Sequence, residues 1–251
     1  NLESHRKMAE EYIDKHRPLV VIGSPPCTPF SQLQAFSPDS KSKAAKWREG
    51  VRHMEFVVKL YRKQLDAGRV FLHENPAHAS SWALPVICKM MAEVGVDVVE
   101  TDQCMFGLKT WGNHKHQLVP AKKPTKFMTN SRAIGNELKR RCDKSHSHQP
   151  LVDGRAKDAA RYSPAMCKAI CRGIMKEEMQ RRLDRTVEAV RVPAWPAGLL
   201  ALLALTFWPS GFLSAARTTT TTLPASGCSD ASTSARRQTG RACCGQAAFG
   251  T

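Results

Sequence analysis

The chain lacks the cysteine patterns of a secreted disulfide scaffold and of a zinc ribbon. Its nine cysteines include no C-x-x-C pair and follow no regular spacing. The opening residues, NLESHRKMAEEYIDKHR, are charged and helical in character, so they do not form a signal peptide. We therefore expect a nuclear or cytoplasmic protein. Because the sequence begins without Met, we also expect a segment of a longer chain.

Acidic residues are few relative to basic ones. Asp and Glu number 22 against 38 Lys and Arg, which gives a formal net charge of +16. A surplus of this size favours polyanionic partners, above all nucleic acid; a solvated basic surface without a partner is the alternative. The residues that could follow a nucleic-acid backbone are Lys122, Lys123, Lys126, Lys139, Arg140 and Arg141.

The pattern of apolar residues predicts helices and strands in alternation. Helices are expected at 3–17, 41–67 and 79–94, and strands at 19–23, 69–76 and 96–103, with a long loop at 24–40. Further strands are expected at 116–121 and 125–130, and further helices at 131–141 and 157–185. Strand–helix–strand alternation is typical of α/β proteins with a parallel sheet. The sequence therefore predicts an α/β domain over residues 1–185.

The composition changes beyond this domain, in a low-complexity tail over residues 186–251. The tail contains an uncharged apolar stretch, WPAGLLALLALTFWPSGFL at 195–213, which has the length of a membrane span. The stretch also contains two prolines. The alternative to a membrane span is therefore an unstructured or non-native extension, and we do not expect membrane association.

A cysteine and a glutamate follow the first two predicted strands. Cys27 lies in GSPPCTPFS, and Glu74 lies in HENP. Ligands of parallel sheets bind at the carboxyl ends of the strands, so both residues should share one edge. Two prolines before Cys27 favour a fixed, exposed thiol nucleophile, and Glu74 could act as an acid. The alternative is a buried strand-end thiol and a helix-capping glutamate.

These two motifs resemble those of the DNA cytosine-5 methyltransferases. GSPPCTPFS is similar to the family's PPC motif, G-P-P-C-Q-x-F-S, from which Ser24 and Thr28 depart. HENP is similar to the E-N-V motif, with Pro76 in place of Val. Four later segments resemble a methyltransferase-like segment of retroelement-type polyproteins: DQCMFGL, KKPTKFMTN, RCDKSHSHQPL and ARYSPAMCKAI. The resemblance covers roughly residues 15–178.

The resemblance implies a fold, a reaction and the residues that perform it. The fold would be a Rossmann-like methyltransferase half-sheet, and the reaction would be methyl transfer from S-adenosylmethionine to C5 of cytosine in DNA. Cys27 would attack C6 of a flipped-out cytosine, and Glu74 would contact or protonate N3. The implied substrate- and cofactor-binding residues are Pro25, Pro26, Ser31, Asn75 and, in place of an arginine of the family's Q-x-R-x-R motif, Lys115.

One feature of the family is missing from the sequence. Members bind their cofactor mainly through an F-x-G-x-G loop, and that motif does not occur here. We therefore expect an N-terminally truncated member, and whether it is an active enzyme is left open. The alternative function is a catalytically silent nucleic-acid-binding segment of a retroelement polyprotein.

A further set of side chains has metal-binding chemistry by residue type alone. Cys142, His146 and His148 form C-x3-H-x-H, and Cys104 could supply a fourth zinc ligand. Because this is not the spacing of a standard finger, the sequence predicts no metal site but a polar loop whose histidines contact phosphate or cap the next turn; zinc binding is the alternative. Two other cysteines, Cys167 and Cys171, are expected to pack against the core.

Overall fold

The computed structural model describes residues 2–36, 38–113 and 117–190. The chain divides into a compact unit, Asn1–Val187, and a second unit, Glu188–Thr251. Lys115 and the apolar stretch at 195–213 lie outside the described residues. None of the helices within the described ranges is long and apolar enough to cross a membrane.

The first half of the domain follows the predicted alternation closely. Its elements are α1 (Leu2–His16), β1 (Val20–Gly23), α2 (Lys41–Asp66) and β2 (Val70–Pro76). The Ser40 hydroxyl accepts a hydrogen bond from the backbone N–H of Lys43 at 3.1 Å, which starts α2, and Gly68 at φ +63° follows its end. The loop between β1 and α2 holds two short 3-10 helices, Thr28–Phe30 and Gln32–Phe36.

The second half departs further from the predicted bounds, and one of its strands, Lys109–Trp111, was not predicted. Its elements are α3 (Pro85–Met91), β3 (Asp97–Asp102), β4 (Lys109–Trp111), β5 (Leu118–Pro120), β6 (Pro124–Thr129), α4 (Arg132–Leu138), α5 (Arg155–Asp158) and α6 (Pro164–Val190). The predicted helix at 79–94 was too long because Pro85 begins a helix rather than continuing one; a 3-10 turn, Ser80–Ala83, precedes it. Pro164 likewise begins α6 later than expected.

The main sheet has four strands in the order β1-β2-β6-β3, and it is mixed. β1 and β2 are parallel, with Gly23 opposite His73. β6 lies between β2 and β3 and runs antiparallel to both, so the prediction of a parallel sheet was wrong. Between β3 and β6 the chain forms a small second sheet from β4 and β5. After this sheet the chain comes back to the end of β3, where β6 begins. The architecture is therefore mixed α/β.

Each face of the main sheet is covered by helices. On one face, Phe71 and Met128 pack against α2 and α3 through Tyr61 and Ile87. On the other face, a second cluster joins the sheet to α4 and α6; it contains Val70, Leu72, Phe127, Ile134, Met166 and Ile170. Successive strand residues point to opposite faces, so His73 lies on the α2 face and Glu74 on the α6 face.

β1 is an edge strand in the part of the chain that the structure describes, and not the buried strand that its sequence predicted. Its single partner there is β2, and Ile22 is 47% exposed. The two cysteines expected in the core are also exposed, since Cys167 and Cys171 lie on the outer side of α6. The predicted burial of β1 and of the two cysteines failed for the same reason. The type of a side chain does not determine whether another element packs over it.

Candidate functional site

The candidate site lies where β1 and β2 end. The parallel register brings Gly23 beside His73, and the two motifs continue from there on the same edge of the sheet. Pro25 is buried and Pro26 is exposed, while Cys27 is half-buried and immediately precedes the 3-10 helix Thr28–Phe30. The loop thus leaves the sheet through a buried proline and presents its thiol close to solvent.

The two motifs are joined directly by a buried hydrogen bond. The side-chain amide of Asn75 donates to the backbone carbonyl of Pro25 at 3.4 Å. Asn75 is fully buried, so this contact fixes the proline segment against the end of β2. Of the residues implied by the resemblance, Asn75 and Pro25 therefore position the loop.

Ser31 and Phe30 shape the rest of the loop. The backbone N–H of Leu33 donates to the Ser31 hydroxyl at 3.3 Å, which supports the second 3-10 turn. Phe30 is 1% exposed and packs edge-on against Trp47 of α2, with ring centroids 5.0 Å apart. These contacts hold the segment after Cys27 on the α2 face of the sheet.

Glu74 lies in a polar cluster on the opposite, α6 face. Burial raises the pKa of the Glu74 carboxyl above its ordinary value, and the Lys123 ammonium opposes this shift only in part. The hydroxyls of Tyr162 and Ser24, which hydrogen-bond to each other at 2.9 Å, also lower the pKa of Glu74, by less. The raised pKa favours the protonated carboxyl, which is the form that can donate a proton.

One oxygen of Glu74 is unsatisfied. Glu74 is only 8% exposed, and within the described residues no donor reaches its buried Oε1 atom. A buried carboxylate oxygen without a partner is costly, and such atoms in native proteins call for an explanation such as a ligand or an ordered water. The site therefore has room in its hydrogen bonding for an incoming polar group.

A neutral histidine supports the site from the α2 face. Tyr61 and His73 are hydrogen-bonded through the tyrosine hydroxyl and Nδ1 at 3.0 Å, and both are fully buried. Burial lowers the pKa of His73 to about 3, so the ring is neutral at physiological pH. This pair lies beneath Gly23 and holds the end of β1 against α2.

A groove of about 1100 Å³ adjoins the loop on the α2 side. Its lining includes Pro26, Phe30, Trp47, His53 and His78, but neither Cys27 nor Glu74. The groove is therefore a neighbour of the candidate site and not the site itself.

Sequence reasoning brought Cys27 and Glu74 to one edge but missed the residues that tune them. Tyr162 and Lys123 come from distant parts of the chain, ahead of α6 and β6, and only the folded sheet brings them to Glu74. Lys123 also donates to the backbone carbonyl of Ala159 at 3.0 Å, which fixes its position. The available signal for Tyr162 was its position directly before Ser-Pro at the start of a helix. This signal does not indicate that the tyrosine contacts Glu74.

Comparison with known protein families, with curated proteins and with solved structures finds no match to this chain. The interpretation of the site therefore rests on its motifs and its geometry.

Proposed function

We propose that this chain is a DNA cytosine-5 methyltransferase-like domain that attacks cytosine through Cys27, with Glu74 as the N3 partner. The observation that carries the proposal is the buried, unsatisfied Oε1 of Glu74, whose carboxyl interacts with Ser24, three residues before Cys27 in the same loop. The mixed sheet, with β1 and β2 parallel and α2 between them, is compatible with a Rossmann-like half-sheet. The basic surface favours a DNA partner.

The chemistry assigned to these residues is nucleophilic addition to a flipped-out base. The Cys27 thiolate forms a bond to C6, and the electrons of the C5–C6 double bond move through the ring as N3 accepts a proton from Glu74. The product is an enamine whose C5 is nucleophilic. The raised pKa of Glu74 suits this role, because a carboxyl that retains its proton can give it to N3.

S-adenosylmethionine is the methyl donor that the resemblance implies, and the described residues fit it poorly. The loop after β1 offers prolines and a serine rather than a glycine-rich cradle, and F-x-G-x-G does not occur in the sequence. Glycine-rich loops hold nucleotides because their backbone can approach the ligand closely. We therefore assign addition to cytosine to this chain and derive no step through the cofactor.

Covalent trapping on two modified oligonucleotides tests the proposal. A 2-pyrimidinone base accepts thiol attack without methyl transfer, whereas a stable 5-fluorocytosine adduct requires both attack and S-adenosylmethionine. We expect an adduct with 2-pyrimidinone that is abolished in Cys27→Ser and slowed by about 100-fold or more in Glu74→Gln. Cys167→Ser, which changes an exposed cysteine of α6, is the matched control.

The second candidate is a catalytically silent nucleic-acid-binding segment of a retroelement polyprotein. The net charge of +16 favours it, since nucleic-acid binding needs no reaction at Cys27. It predicts DNA binding that is unchanged in Cys27→Ser and no adduct in either trapping arm. An adduct with 2-pyrimidinone alone supports a competent nucleophile without a cofactor site.

A further inference from the structure

Four potential metal ligands converge at the end of β3. One ligand atom from each of Cys104, Cys142, His146 and His148 lies within 4.8 Å of all the others. The Cys142 sulfur is 3.4 Å from Nε2 of His148 and 3.8 Å from Nε2 of His146. Tetrahedral zinc, with Zn–S of about 2.3 Å and Zn–N of about 2.0 Å, separates its ligand atoms by about 3.3 to 3.8 Å.

The fold itself brings these side chains together. Cys104 lies in the 3-10 helix Gln103–Phe106, directly after β3. The segment after α4 docks there through two hydrogen bonds of Asp102: its carboxylate accepts from the N–H of Cys142 at 2.9 Å, and its own N–H donates to the carbonyl of Arg140 at 2.9 Å. The convergence therefore depends on backbone and carboxylate contacts, and not on the four ligands alone.

Details around the ligands also match a metal-binding turn. The N–H of Lys144 donates to the Cys142 sulfur at 3.4 Å, and Lys144 itself has φ +63°, which closes a tight turn. The Ser145 hydroxyl lies 3.4 Å from Nδ1 of His146, which leaves Nε2 directed at the cluster. Zinc-binding histidines characteristically hold their second nitrogen in such a hydrogen bond.

We propose that Cys104, Cys142, His146 and His148 bind one zinc ion as a closed, structural site. Two thiolates and two imidazoles fill a tetrahedral shell, so no position remains for water or substrate. The residues between α4 and α5 form no helix or strand in the structure, and the ion ties this long connection to the end of β3. The site is independent of the proposed function, since it requires neither DNA nor Cys27.

The ion also braces the candidate site. β3 ends on the same sheet edge as β2, and Gln103, next to Cys104, donates its N–H to the carbonyl of Lys123 at 3.4 Å. Lys123 is the cation that acts on Glu74. The proposed zinc site therefore fixes the segment that positions a charge beside the candidate acid.

Metal analysis of the full chain tests the proposal. The chain is purified with reductant, stripped with a chelator and titrated with zinc alone; we expect one ion per chain and a higher melting temperature. Cobalt should give thiolate charge-transfer bands and the visible spectrum of a tetrahedral ion. Cys142→Ser and His148→Asn should each weaken zinc binding by at least about tenfold.

Matched controls separate this cluster from the other cysteines. Cys167→Ser and a triple variant that changes Cys228, Cys243 and Cys244 to Ser should both retain one zinc per chain. Three results would each overturn the proposal. They are a zinc content far below one ion per chain, a loss of zinc only in the triple variant, and a Cys104–Cys142 disulfide that persists in reductant. Because the cobalt spectrum is read on the wild-type chain, a variant that fails to fold does not decide the result.

Discussion

At the scale of single residues, the glycine that opens GSPPC is required by a close approach. A Cβ atom added at Gly23 would lie 2.0 Å from the hydroxyl oxygen of Tyr61 and 3.3 Å from a methyl carbon of Val57. That hydroxyl bonds His73, so the glycine permits a buried polar pair directly beneath the start of the loop. The contact between Gly23 and Tyr61 thus packs β1 against α2 and also fixes the start of the loop that carries Cys27.

Gly23→Ala should therefore destabilise the domain, by about 1–3 kcal/mol, because the core must move to admit the methyl group. In Tyr61→Phe the clashing hydroxyl is absent, so the double variant should lose less than the sum of the two single losses. Urea unfolding of the four proteins of this cycle measures the coupling. If the two single losses add up to the loss in the double variant, the Tyr61 hydroxyl is not the group that excludes a side chain at position 23.

The burial of Glu74 should make the stability of the domain fall as pH rises. The folded pKa of Glu74 lies above the ordinary value because of burial, so the fold favours the protonated carboxyl. The stabilising contribution is complete below the unfolded pKa of glutamate and is lost as pH rises through the higher folded pKa. Relative to Glu74→Gln, the wild-type chain should lose free energy of unfolding as pH increases across this window.

Chemical unfolding of both proteins at a series of pH values measures this difference. Asn136→Gln, an exposed change in α4 that alters no ionisable group, serves as the control, and its difference from wild type should stay flat across the series. A constant difference between wild type and Glu74→Gln would contradict the account of a carboxyl held in a buried pocket.

At the scale of elements, local sequence predicted every strand of the described residues except β4, but not how the strands pair. The apolar, β-branched runs at Val20–Gly23 and Val70–Pro76 and the breakers around them were sufficient to locate both strands. Nothing in Pro124–Thr129 encodes its insertion between β2 and β3, because strand order depends on contacts distant in sequence. The edge shared by Cys27 and Glu74 was still predicted correctly, since β1 and β2 are the parallel pair.

The same limit applies to the four-residue metal cluster. Its spacing matches no standard finger, and the fourth residue, Cys104, precedes Cys142 by the whole of β4, β5, β6 and α4. Only the docking of the later loop on Asp102 makes them neighbours. Chemistry-bearing residues were therefore visible in the sequence, while their convergence required the fold.

The crossing of α4 and α6 depends on a second glycine. A Cβ atom at Gly173 would lie 2.6 Å from the backbone Cα of Ile134, which cannot move aside as a side-chain end can. Gly173→Ala should therefore cost about 1–3 kcal/mol, although alanine is intrinsically the better helix former by about 1 kcal/mol. Thermal unfolding measures this loss of stability, with Cys171→Ala, an exposed change on the same helix, as the control. A stabilised Gly173→Ala protein would show that the two helices are not in close contact.

At the scale of the whole molecule, the basic surplus should appear as salt-dependent binding. The net charge is +16, and Lys126 and Lys139 lie on the sheet and on the end of α4 within the basic segment. Each phosphate contact made by a lysine adds about 1 to the slope of log K against log salt. Lys126→Gln and Lys139→Gln should each reduce that slope by about 1, without changing the preference among sequences.

Fluorescence anisotropy with a labelled duplex over a salt series measures these slopes. Lys7→Gln, on the exposed face of α1, is the control and should leave the slope unchanged. Binding that does not respond to salt would contradict a phosphate-directed surface, and an equal effect of Lys7→Gln would show that the charge acts without a defined interface.

The most direct test of the central claim is to locate the covalent bond. After incubation with a 2-pyrimidinone oligonucleotide and digestion with trypsin, mass spectrometry identifies the modified peptide; Cys27 is the single cysteine of peptide 16–41. The account predicts one adduct per chain, on this peptide, that is lost in Cys27→Ser and strongly reduced in Glu74→Gln. An adduct on another cysteine, or none on peptide 16–41, would contradict the assignment of Cys27 as the nucleophile.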